Sequence, residues 1–238
     1  MVRKTKEEAL ATRSAILDAA EIVFQERGVS RTSLAEIAAA AGVTRGAVYW
    51  HFTNKVDLFD AMVQRIFGLM EAKLEELQAT RHYDDPAELL RELALHFLDR
   101  VANDPRYYRI IGISWHKCEY VGEMVEIRDQ HFERGNCFLG VSEAAFRASR
   151  ELGFLSPRVD PHIAAIGLMA VVDGLVANWT LDRSAFRWST PGPRSSTVTL
   201  PAYAPRARTR RPAGTVNGFP RAVAQSTVRA AARTPRRQ

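Results

Sequence analysis

TSLAEIAAAAGVTRGAVYWHFTNKVDLF, residues 32–59, contains three helix starts in quick succession. Ser33 followed by Glu36 has the spacing of a capping box, in which hydroxyl and carboxylate each take an orphan N–H of the first turn, so a short helix runs from there to a stop at Gly42. Alanines 38–41 add no bulk, which lets a second short helix cross the first steeply after a tight turn. Thr44 caps that helix, Arg45 to His51, and Asn54 with Asp57 opens a further one. The pattern is a helix-turn-helix. Such a unit presents a thin helix whose first residues enter the DNA major groove, roughly 12 Å wide, while the helix before it crosses the phosphates. Arg45 sits on the first turn with Gly46 and Ala47 beside it, so the backbone can come close and one long donor can bridge guanine O6 and N7. Tyr49 and Trp50 supply ring surface and polar hydrogens, and Lys55 lies where a positive helix end and an ammonium can share one phosphate. A plainer assignment exists, because Tyr49, His51 and Phe52 can also pack a three-helix core. That assignment is preferred for Phe52 and His51, and the DNA assignment for Arg45, Tyr49 and Lys55.

Outward from this stretch, Leu10, Ile16, Leu17, Ala20, Val23 and Phe24 form one helical stripe that ends at Gly28. Downstream, Leu58, Phe59, Met62, Val63, Ile66, Leu69, Met70, Leu74 and Leu77 predict one helix of about six turns from Val56. Asp85-Pro86, Asp104-Pro105 and Asp160-Pro161 each predict a new helix start, because proline at the first helical position needs no hydrogen-bond donor. A further segment from about Gly122 to Arg150 carries Met124, Ile127, Phe132, Phe138 and Phe146. No period-two alternation appears in residues 1–186, so the expected fold class is all-α: a helix-turn-helix domain at 1–55, a helical bundle at 56–186 and a tail at 187–238. No apolar run is expected to reach the ~20 residues of a membrane helix.

The formal charge of +6 is misleading as a DNA signal. Residues 187–238 hold eleven Arg and no Asp, Glu or Lys, which leaves 22 basic against 27 acidic residues on 1–186, a net −5. Residues 1–60 are balanced at eight of each sign, so a DNA function rests on placement rather than bulk charge. The tail also takes seven of the eleven prolines and little that fills a core, and disorder is the expectation. Two cysteines, Cys118 and Cys137, support neither a disulfide framework nor a cysteine-built metal site, and the charged N-terminus reads as no secretory signal, so a cytoplasmic protein without cofactor or metal is expected.

The stretch ILDAAEIVFQERGVSRTSLAEIAAAAGVTRGAVYWHFTNKVDLFDAM resembles the DNA-binding domain of TetR-family transcriptional regulators, with their IAxxAGV second helix and GxxYxHFxxK third. WHKCEYVGEMVEIRDQ (Trp115 to Gln130) and AVVDGLVANW (Ala170 to Trp179) are similar to the AcrR branch, local repressors of multidrug efflux pumps. The resemblance implies that Thr44, Arg45, Gly46, Ala47 and Tyr49 face the groove or its edges, while Thr32, Ser33, Tyr49, His51 and Lys55 contact phosphates. It also implies a drug pocket among the later helices, for which the candidate lining residues are Phe97, Ile111, Trp115, Met124, Phe138, Leu168, Met169, Val172, Asp173 and Val176. Asp173 either anchors a cationic or hydroxylated ligand or pairs with a nearby arginine. Ala177 stands where some relatives carry a polar or basic residue, so small apolar or aromatic effectors are expected. The partners are then pseudo-palindromic operator DNA and a second copy of the chain, since one helix-turn-helix reads too few base pairs for useful selectivity. The long helix from Val56 is the natural lever between ligand and DNA.

Relatives continue with an amphipathic helix after the Trp179 segment, whereas this chain turns to RWSTPGPRSSTVTLPAYAPRARTRRPAGTVNGFP. Its Arg, Pro, Ala, Thr, Ser and Gly content reads like GC-rich coding sequence out of frame from near Phe186, which would impair the dimer. The rival expectation is a basic tail that adds non-specific nucleic-acid attraction. A helical enzyme using His116, Cys118 and Glu119 is disfavoured, because adjacent helical residues point in different directions.

Overall fold

The computed structural model describes residues 6–185, which fold as eight α-helices and one 3-10 turn with no strand among them. The all-α expectation therefore holds for the described residues, and the 187–238 tail lies outside them.

Helices α1 (Lys6–Arg27), α2 (Leu34–Ala40) and α3 (Arg45–His51) make the N-terminal unit. Each boundary comes from the local chemistry read above. The Ser33 hydroxyl accepts from the Glu36 N–H at 3.3 Å, and the Glu36 carboxylate accepts from the Ser33 N–H at 2.8 Å. Thr44 Oγ1 caps α3 through the Ala47 N–H at 3.1 Å. Gly28 and Gly42 end α1 and α2 with φ of +80° and +66°, backbone that side-chain-bearing residues resist. Ile16, Leu17, Ala20 and Phe24 of α1 bury against Ile37, Ala38, Val48 and Phe52. Burial in α1 begins only at Ile16, so Leu10, expected on the apolar stripe, is exposed.

Helix α4 (Lys55–Thr80) starts at the Asn54 cap, whose side chain accepts from the Asp57 N–H at 2.8 Å, and its 26 residues span about 39 Å. Phe59 near its start packs on Phe24 with ring centroids 6.0 Å apart, which binds the N-terminal unit to the bundle. The remaining helices are α5 (Pro86–Asn103), α6 (Pro105–His116), α7 (Val125–Glu151, after a 3-10 turn at Gly122–Met124) and α8 (Pro161–Leu181). Helices α5, α6 and α8 all open on an aspartate cap followed by proline. Helix α7 lies along α8, α5 packs on α6 and α7, and α6 packs on α8 and α1. One continuous core runs from the N-terminal unit into this bundle, while Leu74, Leu77, Leu89 and Leu93 form a separate small cluster.

Leu69 and Phe132, expected on apolar faces, are exposed. In α4 the buried arc passes through Ile66, Met70 and Leu74, leaving Leu69 about 100° away from it. Phe132 stands one residue off the inward-facing His131 for the same reason. The expectation that no apolar run reaches membrane-spanning length is corrected by α8, whose 21 residues pass that test by length and composition. Its position among α5, α6 and α7 makes it a bundle helix. Asp85 is buried and caps α5 by accepting from the Ala87 N–H at 2.9 Å. Replacing it with alanine should cost about 1–2 kcal/mol and lower the melting temperature by a few degrees in thermal unfolding.

Candidate nucleic-acid interface

The seven residues of α3 divide by direction. Val48 is fully buried and fixes the inward face, so at about 100° per residue Gly46 and Trp50 point outward, with Arg45 and Tyr49 along one flank. Trp50 is 73 % exposed and Tyr49 51 %, whereas Phe52 is 1 % exposed with the Arg13 guanidinium 5.0 Å from its ring centroid. Phe52 is thus core, and Tyr49 is not. The Trp50 ring stands edge-on to half-buried His51 at 4.4 Å, and the Arg45 guanidinium lies 5.9 Å from the Tyr49 ring. A Cβ on Gly46 would meet nothing nearer than Thr44 Oγ1 at 3.8 Å. Glycine there answers no crowding among the described residues, and it leaves the outer backbone bare.

Beside this face lies an open concavity of about 710 Å³. It brings together Thr32, Ser33, Arg45, Tyr49 and Lys55 from the sequence reading, and adds Ser30, Arg31, Thr53 and Asn54, which that reading missed. Arg31 was legible in principle as a basic residue on the turn into α2. The start of α2 opens onto this hollow, so its positive end adds to the cationic side chains. Glu36 is the carboxylate at this helix start: hydrogen bonds from Ser33 hold it below the usual range and so keep it charged, and Arg27 at 2.6 Å offsets that charge. Lys55 Nζ donates to the carbonyls of Ser30 and Thr32, both at 3.2 Å, so it also sews the turn to α4. The Thr32 side chain is buried and donates to the Gly28 carbonyl at 2.7 Å. Thr44 and Ala47 belong to the α3 cap and flank.

Of the effector candidates, Ile111, Met124, Leu168, Val172 and Val176 meet in the main core, with Phe97 packed against it. Met169 reaches across to α7, its methyl 3.8 Å from where a Cβ on Gly135 would sit. Two candidates stand apart. Phe138 packs on the separate leucine cluster, and Trp115 is partly exposed and edge-on to His131 at 6.3 Å. Helix α7 contributes polar groups that the sequence did not flag: Gln130 Oε1 and Arg134 Nε are buried without a hydrogen-bond partner among the described residues, and Arg134 pairs through Nη1 with Asp60 of α4 at 2.8 Å. Burial raises the Asp173 carboxyl above its ordinary 3.8. An acid whose folded value is raised contributes stability that is fully present below its unfolded value and is lost as pH climbs through the folded one. Asp173→Asn should therefore flatten the fall in stability across that window, with a melting temperature above wild type at neutral pH, as followed by thermal unfolding across a pH series.

The His116, Cys118 and Glu119 trio is not arranged for catalysis. His116 Nε2 bonds the Ala177 carbonyl and Thr180 Oγ1, and burial pushes the Cys118 thiol up to about 11, away from a reactive thiolate.

The profile of "Bacterial regulatory proteins, tetR family" matches residues 16–62, and that of "MAATS-type transcriptional repressor, C-terminal region" matches residues 85–195. The chain is 43 % identical over 184 residues to the HTH-type transcriptional regulator TtgR of Pseudomonas putida, covering 76 % of this chain and 86 % of TtgR. Among solved structures it is similar to NalD, the secondary repressor of the MexAB-OprM multidrug efflux pump in Pseudomonas aeruginosa, with TM-score 0.67, 36 % identity and coverage of 76 % and 90 %. It is also similar to the SmeT–triclosan complex, with TM-score 0.59, 32 % identity and coverage of 78 % and 100 %; SmeT is the repressor of the Stenotrophomonas maltophilia pump SmeDEF. An outward-facing α3 over a cationic hollow, and likeness of this extent across both parts, have one common account: the chain belongs to the tetR family of bacterial regulatory proteins.

Proposed function

We propose that the protein is a cytoplasmic, ligand-responsive repressor of a multidrug efflux operon, binding a pseudo-palindromic operator as a homodimer and released by small apolar or aromatic molecules. The observation that carries this reading is the exposed outer face of α3, with Arg45, Tyr49 and Trp50 presented on a capped helix whose other side is core. Arg45 reads bases, Thr44, Gly46 and Ala47 admit the groove wall, and Ser33, Tyr49, His51 and Lys55 hold phosphates. The efflux assignment is supported by the relatives, since NalD and SmeT are repressors of such pumps and SmeT binds triclosan. The effector enters among α4, α6, α7 and α8. Its apolar body packs on Ile111, Leu168 and Val172, and its polar group is met by Asp173, Gln130 Oε1 or the Nε of Arg134.

Dimerisation is supported by α8, where Ile163, Ile166 and Leu181 are exposed on one side of an otherwise apolar helix. The frameshift reading of residues 187–238 predicts a weaker dimer, because a second helix would be missing beside this face. The gene's other frames decide it: neither encoding an amphipathic helix would end that reading.

An electrophoretic shift with DNA flanking the protein's own gene, against random competitor and with or without triclosan, tests the whole. Selective retardation that weakens steeply with salt and is relieved by the aromatic compound is the expected result. If dimeric protein shows no preference for any duplex, the proposal fails.

A further inference from the structure

Helix α1 carries one acidic residue inside its buried stripe. Glu21 is 1 % exposed, and its carboxylate meets three guanidinium groups from two other helices: Arg65 of α4 at 2.7 Å, and Arg106 and Arg109 of α6 at 3.3 Å each. Asp18, one turn earlier, pairs with Arg65 at 2.6 Å and Arg106 at 2.8 Å. Arg65 also donates to the carbonyl and hydroxyl oxygens of Ser14, and Arg109 to Gln25. Three turns of α1 are thus stitched to both α4 and α6. Just beyond α1, the Val29 N–H donates at 2.9 Å to the carbonyl of Lys117, the residue that caps α6. Gly28 beside it takes φ +80°, and a Cβ built on it would sit 3.4 Å from that same carbonyl.

A carboxylate out of water costs several kcal/mol unless opposite charges and hydrogen bonds surround it. Arginine forks satisfy it only in a few directions. Apolar surfaces tolerate sliding, whereas a hub of this kind holds one angle and one register. We propose that Glu21 is a positioning residue that, through Arg65, Arg106 and Arg109, locks the helix-turn-helix unit to α6, so that α6 together with α4 sets where α3 stands. The sequence reading placed the lever on the long helix from Val56 alone. Ile111, on α6 and within the effector core, shares a helix with Arg106 and Arg109, so an effector that displaces α6 either drags α1 with it or loses the Glu21 pairs. The consequence at DNA rests on the repressor reading; the mechanical lock does not.

The test is a pulsed-EPR distance between spin labels on exposed Ala39 of α2 and Glu151 of α7, in a Cys118→Ser, Cys137→Ser background diluted with unlabelled protein. The parent should give one narrow distribution. Glu21→Gln should broaden or shift it, as should Arg106→Gln with Arg109→Gln, while Glu21→Asp restores part of the narrow population. Circular dichroism should show unchanged helix content, and affinity for the selected duplex should fall about tenfold, ~1.4 kcal/mol. If Glu21→Gln does not fold, the double arginine variant decides alone, because it leaves Arg65 to neutralise Glu21. Parent-like distributions in the folded variants overturn the inference. A narrow parent and broadened variants, with no duplex preferred by the parent, would leave the lock standing and remove the repressor reading.

Discussion

Replacing Arg45 by alanine is expected to weaken operator binding by about 1–3 kcal/mol and to relax the choice at a single base pair per half-site. The effect is this large because a bidentate arginine–guanine contact satisfies two acceptors at once, and truncation leaves both facing a groove from which water has been displaced. The structure favours a loss confined to recognition. Arg45 is exposed, the α3 cap is made by Thr44, and the inward anchor is Val48, so the variant should fold as wild type does. Arg31→Gln on the rim of the same hollow serves as the contrast. It should weaken every duplex alike and reduce the salt slope by about one. Fluorescence anisotropy on the operator, on single-base variants and on random duplex, at several salt concentrations, separates the two. Equal losses for all duplexes in Arg45→Ala would remove it from base readout.

The second large effect is expected at Ile166→Asp on α8. Ile166 lies on the exposed side of that helix with Ile163, Ala170 and Gly174. Among the described residues a Cβ on Gly174 would meet nothing within 4 Å, so glycine in mid-helix, at about 1 kcal/mol below alanine in helix propensity, has no steric reason there. Close approach of a second α8 would supply one. In a two-fold contact each residue lies near its own copy, so a new carboxylate is introduced twice and is desolvated beside its twin. Sedimentation equilibrium should show a shift to monomer, and operator selectivity should fall by on the order of a thousandfold, toward the non-specific level. Helix content should not change, because Ile166 is 43 % exposed among the described residues and the new carboxylate falls on the open side of α8. A dimer that survives this change would move the interface off α8.

Much of the local structure was legible because it is governed by chemistry within a few residues. Asp85, Asp104 and Asp160 announced their helices, since a cap and a following proline act on the adjacent turn whatever surrounds them. Thr44 placed the start of α3 in the same way. Faces were harder. Leu69 and Phe132 fit an apolar stripe in one dimension, but which arc of a long helix is covered depends on where its neighbours lie. Trp115 and Phe138 showed the same limit among the effector candidates, since aromatic character does not say which of two clusters a ring will join.

The sequence by itself determined the all-helical course of the described residues, the helix-turn-helix and the side chains on α3, because capping, proline placement and helical periodicity are short-range and repeat wherever their residues occur. Only the tertiary structure decided that Glu21 is buried among three arginines, that Thr32 is spent inside its own turn and that α6 grips α1. Those partners lie more than 40 residues from Glu21 in the chain, and charge pairing over that distance leaves no periodic trace. It exists only once the helices have come to rest against one another.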